Sequence, residues 1–401
     1  MSILKGFDVS LVFIICLNGF SKSSLTNIDI YNPDKYLDVP QMIARHGYLS
    51  ETHVVVTKDG YLLKLHRIPA KTNNKKEETI FLQHGLLGSS ADWLINGNNS
   101  LGFLLADQGY DVWLGNARGN LYSKGHINLS TESEKFWNFS WHEMGTKDLP
   151  AVFSYINTVT QRKNITYIGH SMGTTMFFAL SSTSPNLAEN VTLMVALAPV
   201  AYMTHIKSPI KYLAPFANDI EWVARYFGLN QFLPNDKIMK FLAYDCELLK
   251  IEKQVCENII FIISGFDKKE LNQDILPVIF AKEPAGTSTK TVIHYAQEIN
   301  NGCFQQYDYG SKKNLIYYGT KTPPQYNLTN IKQNIFLMYG QNDWLANYID
   351  VRNLAANLKN LRSLYKIPME GFNHIDFLFG KDAEKLVYKP ILRLIEKSSK
   401  M

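Results

Sequence analysis

Short apolar, β-prone runs recur along the chain: Thr79-Ile-Phe-Leu-Gln83, a run from Tyr110, Ile165-Thr-Tyr-Ile168, a run from Val191, Asn334-Ile-Phe-Leu-Met-Tyr339 and Leu364-Tyr-Lys-Ile367. Helix-like stretches such as Thr174 to Ser181 separate them. Apolar strands alternating with helices predict an α/β fold, a mainly parallel sheet with right-handed crossovers whose ligands bind at the carboxyl ends of the strands. Ahead of them a hairpin is predicted to turn at Lys58-Asp59-Gly60. Between Ala201 and Tyr326 the alternation stops, and aromatic residues and short helix-like runs replace it. That stretch reads as an inserted cap. The predicted organisation is a leader over 1–22, a core over 23–201, the cap over 202–326 and the rest of the core over 327–401.

One junction carries candidate chemistry. Gly169-His-Ser-Met-Gly173 lies between the strand at Ile165 and the helix at Thr174, the arrangement of a nucleophile elbow. Glycines suit the flanking positions because side chains there would crowd the neighbouring strand and helix. A five-residue match can also be a glycine-rich turn holding an exposed serine. The catalytic reading needs a histidine to take the proton of Ser171 and an acid to orient that histidine.

In this fold the partners follow in the order serine, acid, histidine. Asp343 comes just after the apolar strand that ends at Tyr339, and His374 sits in the loop Gly371-Phe-Asn-His374 after the last strand. These two are the predicted acid and base. Asp376 and Asp350 are rivals for the acid, but neither directly follows a strand. His170 adjoins the serine and is expected to pack inside the elbow, while His205 and His294 fall in the cap. The oxyanion formed during attack needs two N–H donors: the residue after the serine, Met172, and one from the loop His84-Gly-Leu-Leu-Gly88, where Leu86 is the natural choice.

Further motifs stand in order along the chain: Asp59-Gly-Tyr61 with Arg67-Ile-Pro69, Leu82-Gln-His-Gly-Leu-Leu87, Gly109-Tyr-Asp-Val-Trp-Leu-Gly-Asn-Ala-Arg-Gly-Asn120, Ala196-Leu-Ala-Pro-Val-Ala201, Pro284-Ala-Gly-Thr287 and Asn373-His-Ile-Asp-Phe377. On these motifs the chain, from about Asn32 onward, resembles the acid lipase family, the gastric and lysosomal lipases of the α/β-hydrolase superfamily. The resemblance implies Ser171 as nucleophile, Asp343 and His374 as its partners, and the amides of Leu86 and Met172 as oxyanion donors. One position departs from the family pattern, because Met172 stands where glutamine is usual. A backbone donor survives that change, so the departure bears on rate and substrate range more than on reaction type.

Length and composition agree: 401 residues, 46% of them hydrophobic, can bury a large core. Lys5 followed by the apolar run Val9 to Leu17 suits a signal peptide and is too short to span a bilayer, so no transmembrane segment is expected in the mature protein. Six sequons, at Asn98, Asn128, Asn138, Asn164, Asn190 and Asn327, fit glycosylation on that route. Loss of the leader leaves Cys246, Cys256 and Cys303. The short loop between Cys246 and Cys256 makes them the best candidates for a disulfide, and the family has a comparable bridge in its cap. No zinc spacing and no phosphate loop is present, so no cofactor or metal is expected. A net charge of +5 is too diffuse for nucleic acid.

The cap stretch Glu221 to Leu233 is apolar enough to cover an acyl channel, although such residues more often form a cap's own core. The expected function is a secreted or lysosomal serine lipase acting at a lipid–water interface on triacylglycerols or sterol esters. The alternatives are a small-ester or thioester hydrolase of the same fold and a lipid-binding protein that scarcely uses its triad.

Overall fold

The computed structural model describes residues 32–70, 75–216, 230–233 and 263–398. The expected leader, most of the stretch Glu221 to Leu233, and both Cys246 and Cys256 lie outside the described residues.

Eleven strands are described, in chain order: β1 Glu51–Val56, β2 Tyr61–Ile68, β3 Thr79–Gln83, β4 Asp111–Leu114, β5 Gly125–His126, β6 Ile165–His170, β7 Val191–Leu197, β8 Gln231–Phe232, β9 Thr287–Ser288, β10 Asn334–Tyr339 and β11 Leu361–Lys366. The main sheet runs β1-β2-β4-β3-β6-β7-β10-β11, with β5 paired to β2. β1, β2 and β4 pair antiparallel, and every neighbour from β4 through to β11 is parallel. This is the α/β-hydrolase fold. The hairpin turns where expected, because the Thr57 hydroxyl donates to Asp59 and accepts from the Tyr61 amide, while Gly60 adopts a φ of +94°.

β3, β4 and β6 are buried at every position, which is why they read as unbroken apolar runs. β11 behaves differently. It begins at Leu361 rather than Leu364, and its residues alternate between half-buried and exposed, as an edge strand covered on one face should. Polar Arg362 and Ser363 in its first half masked the strand. The elbow helix Met172–Thr183 is buried along almost its whole length. Each large apolar side chain packed here, such as Trp93, Trp113 or Phe81, contributes roughly 1.5–3 kcal/mol.

Two of the sequence motifs meet in a buried ion network. Arg118 donates to Asp148 at 2.8 Å and to Asp59 at 2.8 and 3.0 Å, and its guanidinium lies 3.9 Å over the Tyr61 ring. Burial alone would discourage charge on Arg118, and the two carboxylates outweigh it. These residues tie the hairpin to the loops around β4 and form no part of the site below.

Among the described residues, the segment between β7 and β10 adds no strand to the main sheet. It contains the β8–β9 pair and the helices Leu276–Lys282, Thr289–Asn301 and Ser311–Tyr318. No helix among the described residues is long and apolar enough to cross a membrane.

Candidate active site

β6 ends at His170, and the helix begins at Met172, so Ser171 alone makes the turn. Its φ of 51° and ψ of −117° fall where a side chain is strained, at a cost of about 1–3 kcal/mol that the surroundings must hold. They do so sterically. A Cβ on Gly173 would lie 2.4 Å from the Gln83 carbonyl oxygen, and one on Gly169 would lie 2.9 Å from the Gly173 backbone. The Ser171 amide donates to the Leu197 carbonyl at 3.0 Å, tying the turn to the adjacent strand.

The two loops after β10 and β11 come back to this turn. Nε2 of His374 lies 2.8 Å from the Ser171 hydroxyl, and Nδ1 lies 3.0 and 2.9 Å from the two Asp343 oxygens. Asp343 also accepts from the Leu345 and Ala346 amides at 2.9 and 2.8 Å. A carboxylate with only acceptors assigns the proton to Nδ1, which leaves Nε2 free to accept from the serine. Asp343 and His374 are buried, and Ser171 is half-buried.

The rivals are engaged elsewhere. Asp350 pairs with His205 at 2.7 Å, and Asp376 accepts from the Asn373 amide at 2.7 Å. Burial raises the Asp376 carboxyl well above the ordinary range. His294 stacks on Trp141 at 3.8 Å between ring centroids, and burial pushes it down to about 3.

His170 does more than pack. Its Nε2 donates to the carbonyl of His374 at 3.0 Å, and the two rings are 4.9 Å apart. Burial and the neighbouring His374 push it down to about 3, so it stays neutral. Asn373 completes the bracing: its amide group donates to the Gly265 carbonyl at 2.9 Å while its oxygen accepts from the Ile375 amide at 3.0 Å. Apart from their places beside Ser171 and His374, nothing in the sequence marks the reach of His170 to His374 or of Asn373 to Gly265, because these contacts join segments far apart in the chain.

Across the turn, Leu86 lies in the loop after β3. His84 orders this loop, its Nε2 accepting from the Ala117 amide at 3.0 Å and its Nδ1 donating to the Gly85 carbonyl at 2.7 Å. Burial pushes His84 down to about 4, so it too is neutral. Leu87 has a φ of 63°, a second strained position. Met172 opens its helix, so its amide is one of the N–H groups with no acceptor in the preceding turn.

Of the sequon asparagines, Asn98, Asn128, Asn138, Asn164 and Asn327 are exposed, and Asn190 is half-buried. Cys303 is a free thiol. Among the described residues no group of His, Cys, Asp and Glu is arranged to hold a metal ion.

Comparison with known proteins decides the family. Residues 39–97 match the partial α/β-hydrolase lipase region, and residues 78–255 match the α/β hydrolase fold. The chain is 39% identical to lipase member K of Mus musculus over 95% of both chains. It is 41% identical to gastric triacylglycerol lipase of Bos taurus, covering 92% of this chain and 94% of that one. The chain belongs to the acid lipase family of α/β hydrolases. It is thereby an enzyme of the carboxylic ester hydrolase class. An esterase from Exiguobacterium antarcticum superposes with a TM-score of 0.50 at 12% identity, over 86% of this chain and 100% of that one. At that identity the likeness speaks to the fold alone.

Proposed function

We propose that this acid lipase hydrolyses carboxylic esters of lipids, triacylglycerols or sterol esters, through an acyl-enzyme on Ser171. The observation that carries the reading is the unbroken hydrogen-bond chain from Asp343 through His374 to the Ser171 hydroxyl at a strained elbow. His374 takes the serine proton as the hydroxyl attacks the acyl carbonyl, and Asp343 orients the imidazole and stabilises its charged form. The amides of Leu86 and Met172 receive the oxyanion. The alcohol then leaves with the proton from His374, and water, activated by the same imidazole, releases the fatty acid. Residues 202–326 form the cap over this site in the proposal, with lipid ester presented at a lipid–water interface. The leader-like start and the sequons support secretion or delivery to the lysosome.

The test is fatty-acid release from an emulsified long-chain triacylglycerol and a cholesteryl ester, with a short soluble ester alongside. Ser171→Ala should lower turnover by at least about 10⁴-fold with an unchanged melting temperature. Serine-dependent turnover of the soluble ester alone would replace the lipase reading with a small-ester hydrolase. No turnover, with no labelling of Ser171 by an active-site phosphonate, would point to a lipid binder.

A further inference from the structure

The loop that carries Leu86 is held from its far side by a pair of acids. Asp92, in the short 3-10 helix Ser90–Trp93, and Glu283, just after the helix Leu276–Lys282, bring their carboxyl groups to the same residue, Ser89. Two carboxylates held this close in a buried site repel each other when both are ionised, which favours one proton between them. Ser89 joins them, its hydroxyl donating to Glu283 at 3.4 Å and its amide lying 3.4 Å from Asp92. Two residues beyond Glu283, the Ala285 amide donates to the carbonyl of strained Leu87 at 2.6 Å, and the Ala285 carbonyl accepts from Leu121 at 2.8 Å. A Cβ on Gly88 would lie 2.3 Å from Asp92, so the acid and the loop are in close contact.

We propose that Asp92 and Glu283 are a positioning pair that shares a proton, clamps the His84–Ser89 loop with the Leu86 amide in place, and releases it as that proton is lost. This rests on the reading of Leu86 as an oxyanion donor. Lys282 turns its ammonium to the carbonyls of Lys35 and Leu37, and His66 and His84, which flank the same loop, are held neutral by burial. Among the described residues, the Tyr122 hydroxyl is a further titratable neighbour, with Asp38 beyond it. Burial raises both carboxyls, and Asp92 raises Glu283 further. A raised acid binds its proton more tightly folded than unfolded. The clamp is therefore complete below the ordinary carboxylate range and weakens as pH rises through the folded pair's own range.

The test is kcat/KM for a soluble ester from pH 5 to 8.5, in the wild type, Glu283→Gln, Asp92→Asn and the double variant. An amide keeps its hydrogen bonds at every pH. Glu283→Gln should therefore retain at least about fivefold more of its pH 5 rate at pH 8.5 than the wild type does. The double variant should gain no more than either single one, since the proton belongs to the pair. Superimposable wild-type and variant profiles would overturn the proposal, as would additive shifts or an equal loss at every pH in a folded variant. In case the variants fold poorly, hydrogen exchange of the wild type gives a second reading: protection of the 86–89 amides should fall between pH 5 and 8.5, and constant protection would overturn the clamp. Turnover that survives Ser171→Ala would instead sink the underlying function and leave the clamp to be judged by exchange.

Discussion

The two halves of the candidate site are built on different principles. The elbow is set by exclusion: Gly169 and Gly173 leave no room for a side chain, and the strained Ser171 backbone is wedged between β6 and its helix. The Asp343 and His374 loops are set by hydrogen bonds instead. Asp343 accepts two amides, Asn373 donates to the distant Gly265 carbonyl, and His170 reaches across to hold the His374 carbonyl. A part held by close packing tolerates no added atom, whereas a part held by polar contacts tolerates no lost donor or acceptor. Damage to the first should register as lost stability. Damage to the second should register as lost turnover in a folded protein.

The largest expected effect tests the polar half. Asp343→Asn should lower kcat by about 10⁴-fold while leaving the melting temperature nearly unchanged, because an amide disfavours the histidine tautomer that the serine needs. A fall in stability with little kinetic effect would reverse the comparison. Gly173→Ala probes the packed half: its new Cβ must displace the backbone of Gln83, so the variant should lose about 1–3 kcal/mol of stability in chemical denaturation. Full stability there would show that the elbow is roomier than its geometry. The smallest effect concerns the link between the halves. His170→Ala should lower kcat by roughly tenfold with little change in KM, and His170→Asn, which keeps a donor, should recover part of it. Equal losses in the two variants would reduce His170 to a packing residue.

The sheet was legible because its central strands are buried on both faces and so appear as plain apolar runs. Chain order and loop position after strands singled out Asp343 and His374 over Asp376 and His294, and the structure brings those two to Ser171. The edge strand was only half visible, since Arg362 and Ser363 interrupt its apolar pattern where one face meets water. Contacts made through space left no local trace. Nothing around Asp92 or Glu283 in sequence announces that they meet across the fold, and the motif residues Asp59 and Arg118 gave no hint that they would form an ion network away from the site.

The hydrogen bond between Ser171 and His374 spans 203 residues of chain. During synthesis, the elbow and its strands can assemble while His374 has yet to emerge. Contacts of such long range form late, after the loop-closure entropy has been met by the rest of the sheet. The proposed catalytic contact therefore arrives with the docking of the last two strands. A truncated or half-folded chain would carry Ser171 without His374 beside it, and on the proposed mechanism would leave every lipid it meets uncleaved.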